Sequence, residues 1–137
     1  MQLHEIIVGK GQDIKATLES YLIEHGIRDA YVSGGVGSVC DLVLQAPENT
    51  EMPLKLGQFT CKLPAEILSL SGEIMGRESM DEGMKRAYPE NGSPLFIHLH
   101  ASVAISGGHV YGGGLVSGQA LRLLKIYLFT TKEEGMV

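Results

Sequence analysis

The run LFIHLHASVAISGGHVYGGGLVSGQALRLLKIYLFT, residues 95–130, decides the fold. Leu95 to Ile105 predicts one long strand, Ser106-Gly107-Gly108 turns it, and His109 to Leu115 returns. Ser117-Gly118 reads as another turn, and Leu121 to Thr130 closes a β-meander. That last run is apolar on both faces, which predicts a central strand covered on both sides. A helix is the competing reading, because Leu121, Leu124, Lys125 and Leu128 also share a helical stripe.

Working outward, Leu3 to Val8 is a short apolar run ended by Gly9 and predicts a first strand. From Asp13 the period changes: Ile14, Leu18, Tyr21 and Leu22 fall on one helical face. Asp13 or Gly11 starts this helix, and Gly26 follows His25 as its left-handed cap. Ala30 to Ala46 reads as strand, glycine break, strand, with Gly34, Gly35 and Gly37 at the break. These glycines fit neither a dinucleotide nor a P-loop fingerprint, so they predict a bulged strand or a tight crossing. Pro47 to Pro53 is a polar turn, and Phe59 to Cys61 and Glu66 to Ile74 are further strands. Between Gly76 and Pro94, Ser79 and Glu82 have capping-box spacing ahead of a short helix through Met84 to Ala87. Pro89, Gly92 and Pro94 end it. The whole reads as one α+β domain over residues 1–137: an antiparallel-rich mixed β-sheet, one main helix, and a frayed tail at 131–137.

Composition narrows the function classes. The 137 residues suit one domain with a real core. Eighteen glycines, clustered beside strand-like segments, point to tight turns and close backbone approach rather than a linker. The net charge of −5 and the scattered eleven Lys and Arg leave no electrostatic footprint for nucleic acid. No apolar stretch approaches the length of a membrane span. Cys40 and Cys61, without a secretory leader pattern, are expected to be reduced thiols of a cytoplasmic protein.

His98-Leu99-His100 is the sharpest chemical feature. On a strand the two imidazoles share one face, roughly 7 Å apart at Cβ, and can converge on one ion. A zinc site needs a third protein ligand, and His109, Glu66, Glu73, Cys40, Cys61 and His4 are all candidates by residue type. The competing reading makes His98 and His100 neutral histidines, hydrogen-bonded to backbone or to hydroxyls such as Ser102. Neither Gly-x-Ser-x-Gly nor His-Glu-x-x-His occurs, so no residue is assigned as catalytic.

Several segments, in chain order, resemble the signatures of the PPC (plants-and-prokaryotes conserved) domain, often labelled a PD1-like DNA-binding domain. They are the helix start Gly11-Gln-Asp-Ile, the Val36-Gly-Ser-Val39 turn, Glu66-Ile-Leu-Ser-Leu-Ser-Gly-Glu-Ile74, Leu95 to Ala104, and Val110-Tyr-Gly-Gly-Gly-Leu-Val-Ser-Gly118. The resemblance implies an α+β fold similar to acetolactate decarboxylase, which binds zinc through histidines, and assembly as a homotrimer. In plants the domain follows an AT-hook, but free-standing prokaryotic members carry none, and no Arg-Gly-Arg occurs here. Prokaryotic relatives show His-x-His followed by Gly-Gly-His-Leu. Here His98, His100, Gly112 and Gly113 match, but the third histidine position is Gly114. The resemblance thus implies a trimeric module with a small molecule or protein partner bound near His98, His100, Gly112, Gly113 and Gly114. The readings kept beside it are a zinc-dependent, lyase-like enzyme using His98 and His100, and a DNA-binding regulator.

Overall fold

Two strands of unusual length organise the molecule, β2 (Ala30–Pro47) and β6 (Val110–Thr130). Around them the computed structural model, described over residues 1–130, places β1 (Gln2–Gly9), α1 (Ile14–Glu24), β3 (Leu56–Cys61), β4 (Ala65–Gly76), α2 (Glu82–Ala87) and β5 (Leu95–Ala104). The tail expected to fray at 131–137 lies outside the described residues. The six-stranded sheet runs β1-β6-β5-β4-β2-β3, and every ladder among the described residues is antiparallel. An extra β6–β2 ladder joins the strands that flank β5 and β4, so β2, β4, β5 and β6 close a ring. Closure protects edges that an open sheet would leave unpaired. No helix among the described residues is long and apolar enough to cross a membrane.

The main helix forms where its pattern predicts. Asp13 Oδ2 accepts the Ala16 N–H at 2.8 Å, satisfying one of the orphan donors of the first turn. At the other end Gly26 adopts φ +65° just past His25. Ile14, Leu18 and Leu22 are buried against the inner face that carries Val8, Leu99, Leu124, Ile126 and Leu128. The short α2 is capped by Asp81, whose Oδ1 accepts the Met84 N–H at 2.7 Å, rather than by Ser79, which closes a 3-10 turn at Arg77–Ser79.

The β6 strand departs from expectation. It runs through Ser117-Gly118 without turning. A Cβ at Gly118 would run into the Leu42 side chain, so this glycine marks the place where β6 presses on β2, not a reversal. Leu121 to Thr130 is strand rather than helix and is central, paired with β1 on one side and β2 on the other. Its faces alternate: Leu124, Ile126 and Leu128 are buried, while Leu123, Lys125, Tyr127 and Phe129 retain solvent exposure. The cover expected on both faces is therefore present on only one face of a single chain. The glycine break in β2 is a bulged crossing, with register shifts between Val32 and Gly34 and between Gly37 and Val39. At Gly37 the φ of +140° and the neighbouring Leu123 carbonyl leave no room for a side chain.

Candidate functional site

The even-numbered residues of β5 point away from the core, and this places Phe96, His98 and His100 on one outer face. The two imidazoles converge, Nε2 to Nε2 at 3.2 Å. Phe96 stacks on His98 at 5.2 Å between ring centroids, and Tyr88, from the segment after α2, tilts over both. Burial and the neighbouring His100 imidazole hold His98 below the ordinary histidine range, with Lys15 adding to this and Glu73, its cross-strand partner, opposing it. A neutral His98 offers a lone pair to a metal ion, or to a donor on a ligand.

The glycine run of β6 faces this pair. His100 lies directly across from Gly114, Ala101 from Gly113 and Ser102 from Gly112. Gly114 also pairs with Gln45 of β2, so β6 is held from both sides here. Gly113 has φ +153°, and a Cβ there would come within 2.7 Å of the Gln45 carbonyl oxygen. Gly114 differs: a Cβ would make only ordinary contacts, 3.5 Å from Gln45 Cγ. Position 114 can thus carry a side chain next to His100, and glycine leaves the space open.

Of the other candidate ligands, only Glu73 neighbours the pair, directly across from His98, and with it the described residues still form no metal-holding group. The rest lie elsewhere. His109 sits in the β5–β6 turn, beyond the far end of the ladder from His100. His4 is buried at the other end of the sheet, its Nδ1 2.8 Å from the Tyr21 hydroxyl, with Tyr21 stacked on His25. Glu66 pairs with Ala104, several rungs from His98. Cys40 and Cys61 are free thiols on β2 and β3. Among the described residues no group of three or more His, Cys, Asp or Glu is placed to hold a metal ion. The donor set at His98 and His100 is two imidazoles, short of the three or four of a protein zinc site. It does not make up a zinc centre, and no catalytic step can be derived through one.

Beside the histidines opens a cleft of about 480 Å³, within the usual range for small-molecule sites. The cap and first half of α1 supply Asp13, Lys15 and Glu19, and the segment around α2 supplies Arg77 and Tyr88, with Phe96 from β5. Gln45, the neighbour of Gly114, also lines it. His98, His100 and Gly112 to Gly114 stand next to the cleft rather than in its wall, linked to it through Tyr88, Phe96 and Gln45. Sequence reasoning missed Lys15 and Arg77. The one legible signal was a lysine in the first turn of the main helix, where a carboxylate is the favoured charge.

The family profile of the Plants and Prokaryotes Conserved (PCC) domain matches residues 1–132. Among solved structures, the fold is similar to a plant- and prokaryote-conserved protein of Pyrococcus horikoshii, with TM-score 0.73 and 19% identity over 98% of this chain and 82% of that one. A metal-containing protein of Archaeoglobus fulgidus is 25% identical at TM-score 0.73, covering 98% of this chain and 83% of its own. A candidate DNA-binding protein of Bacteroides thetaiotaomicron gives TM-score 0.74 at 19% identity, over 96% of this chain and 80% of that one. Among curated proteins, the bifunctional protein GlmU of a Synechococcus species is 28% identical over 108 residues; the match covers 79% of this chain but only 14% of that protein's length. The match to the family profile over all the described residues, on the same antiparallel α+β fold as the Pyrococcus protein, places this chain in the Plants and Prokaryotes Conserved domain family.

Proposed function

We propose that the chain is an assembly-and-binding module: a homotrimer whose cleft beside His98 and His100 takes a small molecule or a segment of a partner protein. The observation that carries the binding reading is the cleft itself, an apolar wall of Tyr88 and Phe96 with convergent polar groups from α1, β2 and the α2 segment. Support for self-assembly comes from the outer face of β1, β6 and β2. Register aligns Leu3 and Tyr31 with Phe129, and Ile7 and Val36 with Lys125. Leu3, Ile7, Tyr31 and Val36 are each more than half exposed, and Leu123 is 41% exposed. A contiguous apolar face of this kind marks an interaction surface. A second copy is its natural occupant, because the same face also carries the Glu5–Lys125 pair and so both signs of charge.

Sedimentation velocity tests the assembly. The expected species is about 44 kDa, three chains of 14.8 kDa, and Ile7→Glu combined with Leu123→Glu should reduce it to the single chain. A wild-type protein that sediments as one chain at tens of micromolar would contradict it.

Metal-dependent catalysis is the second reading. It is favoured by the 3.2 Å approach of the two imidazoles and by the similarity to the metal-containing Archaeoglobus protein. It ranks lower because a third ligand is lacking at Gly114. DNA binding ranks lowest for this chain, whose net charge is −5. Salt-independent failure to retard duplex DNA is the expected result of a gel-shift assay.

A further inference from the structure

Lys15 and Arg77 come from distant parts of the chain, yet both line the cleft. Among the described residues neither makes an ion pair; those present join Arg28 to Glu78, Lys85 to Glu82 and Lys125 to Glu5. Lys15 is half-buried, and holding an ammonium there without an ion pair is unfavourable. Burial pushes its pKa below the ordinary lysine value, with Asp13 opposing. Arg77 spends one Nη2 hydrogen bond, at 2.6 Å, on the Tyr88 carbonyl, which fixes the guanidinium and leaves its other donors for a ligand. The acids at the cleft act on these cations at most from a distance and form no ion pair with them. Asp13 is engaged in capping α1 through the Ala16 N–H. Glu19 follows Lys15 by four residues, the weaker order for a helical ion pair, and does not pair with it.

We propose that the cleft binds a small organic oxyanion, a carboxylate or a phosphate ester, held between the Lys15 ammonium and the Arg77 guanidinium. This deepens the binding reading above and rests on it. Arg77 supplies planar, forked donors and Lys15 a point charge, a combination suited to carboxylate and phosphate oxygens. Tyr88 and Phe96 give the apolar body of the ligand a wall. Glu19 adds an acceptor, so the ligand carries a donor, such as a hydroxyl or amine, beside its oxyanion. The shape of the site thus fits a small hydroxy acid, amino acid or sugar phosphate better than a nucleic-acid backbone, which needs an open, extended basic surface.

The test is an amide-resolved NMR titration of the full chain at low salt with three probes: citrate, inorganic phosphate and the uncharged trimethyl phosphate. Citrate and phosphate should shift the amides of Lys15, Ala16, Arg77, Tyr88 and Phe96, and trimethyl phosphate should not. Lys15→Gln should weaken citrate binding about tenfold or more, the scale of one lost charge-assisted hydrogen bond. Lys15→Arg should retain most of the affinity. Because the Lys15 side chain makes no ion pair, its replacement leaves the fold intact, which the unshifted remainder of the spectrum verifies. If trimethyl phosphate shifts the cleft amides while both anions do not, the oxyanion assignment is overturned and the cleft remains a binding site. If none of the three probes shifts them, the oxyanion assignment is overturned. Equal citrate affinity in Lys15→Gln and wild type would also overturn the assignment.

Discussion

Replacing Gly114 with histidine should turn the imidazole pair into a zinc site. The two Nε2 atoms stand 3.2 Å apart. At zinc–nitrogen distances of about 2.0–2.1 Å they subtend about 100–106° at a shared ion, close to a tetrahedral angle. Position 114 lies directly across from His100, and its Cβ would make only ordinary contacts with Gln45. The backbone there lies outside the left-handed region, so the substitution carries no conformational penalty of that kind. Structural zinc sites bind with about 10–16 kcal/mol over four ligands, or roughly 3 kcal/mol each, so a third imidazole is worth about a hundredfold in Kd. Competition against a fluorescent chelator measures this directly. Thermal denaturation gives a second reading: at a zinc concentration near 100 Kd, linkage adds about 2.7 kcal/mol, or ~10 °C in Tm for a chain of this size. Affinity in Gly114→His no better than wild type would refute the geometric reasoning. Tight, stoichiometric zinc in the wild type would refute the view that Gly114 leaves the site incomplete.

Other perturbations follow from the same geometry. His98 should titrate below the ordinary histidine value, and His100→Ala, by removing a like charge, should move it upward in a histidine-detected NMR titration. Because its folded-state pKa is depressed, His98 contributes stability that is present above the unfolded-state pKa of ~6.5 and is lost as pH falls through the folded value. Urea midpoints measured across that window should fall with pH, and less so in His98→Phe. Leu18→Ala empties a fully buried position of α1 and should cost about 2–5 kcal/mol in urea denaturation. Gly37→Ala puts a Cβ against the Leu123 carbonyl at positive φ and should destabilise by about 2 kcal/mol or more, whereas Gly34→Ala meets open space and should cost far less.

Much of the fold was legible because local signals agreed with one another. The Ile14, Leu18 and Leu22 stripe, the Asp13 cap and Gly26 all pointed to one helix, and each takes that role. The glycines of β2 read as a bulge because no phosphate-binding pattern surrounded them, and the register shifts bear this out. Ser117-Gly118 misled because a glycine needed for close crossing is indistinguishable in sequence from one needed for a turn. The two-sided apolar run of β6 signalled a surface that a single chain leaves partly uncovered at Leu123 and Phe129. For the candidate site, alternation on β5 was enough to put His98 and His100 on one face. The cleft was not legible: Lys15 and Arg77, far apart in the chain, line it together only in the tertiary fold, which leaves no period in the sequence. The position of Tyr88 over Phe96 and His98 was hidden for the same reason.

Native mass spectrometry of tag-free protein reads assembly and bound metal in one experiment. The expected species is about 44 kDa, three chains of 14.8 kDa, without stoichiometric zinc even after zinc is added and the protein desalted. A single 14.8 kDa chain, or a trimer that retains one zinc per chain, would contradict it.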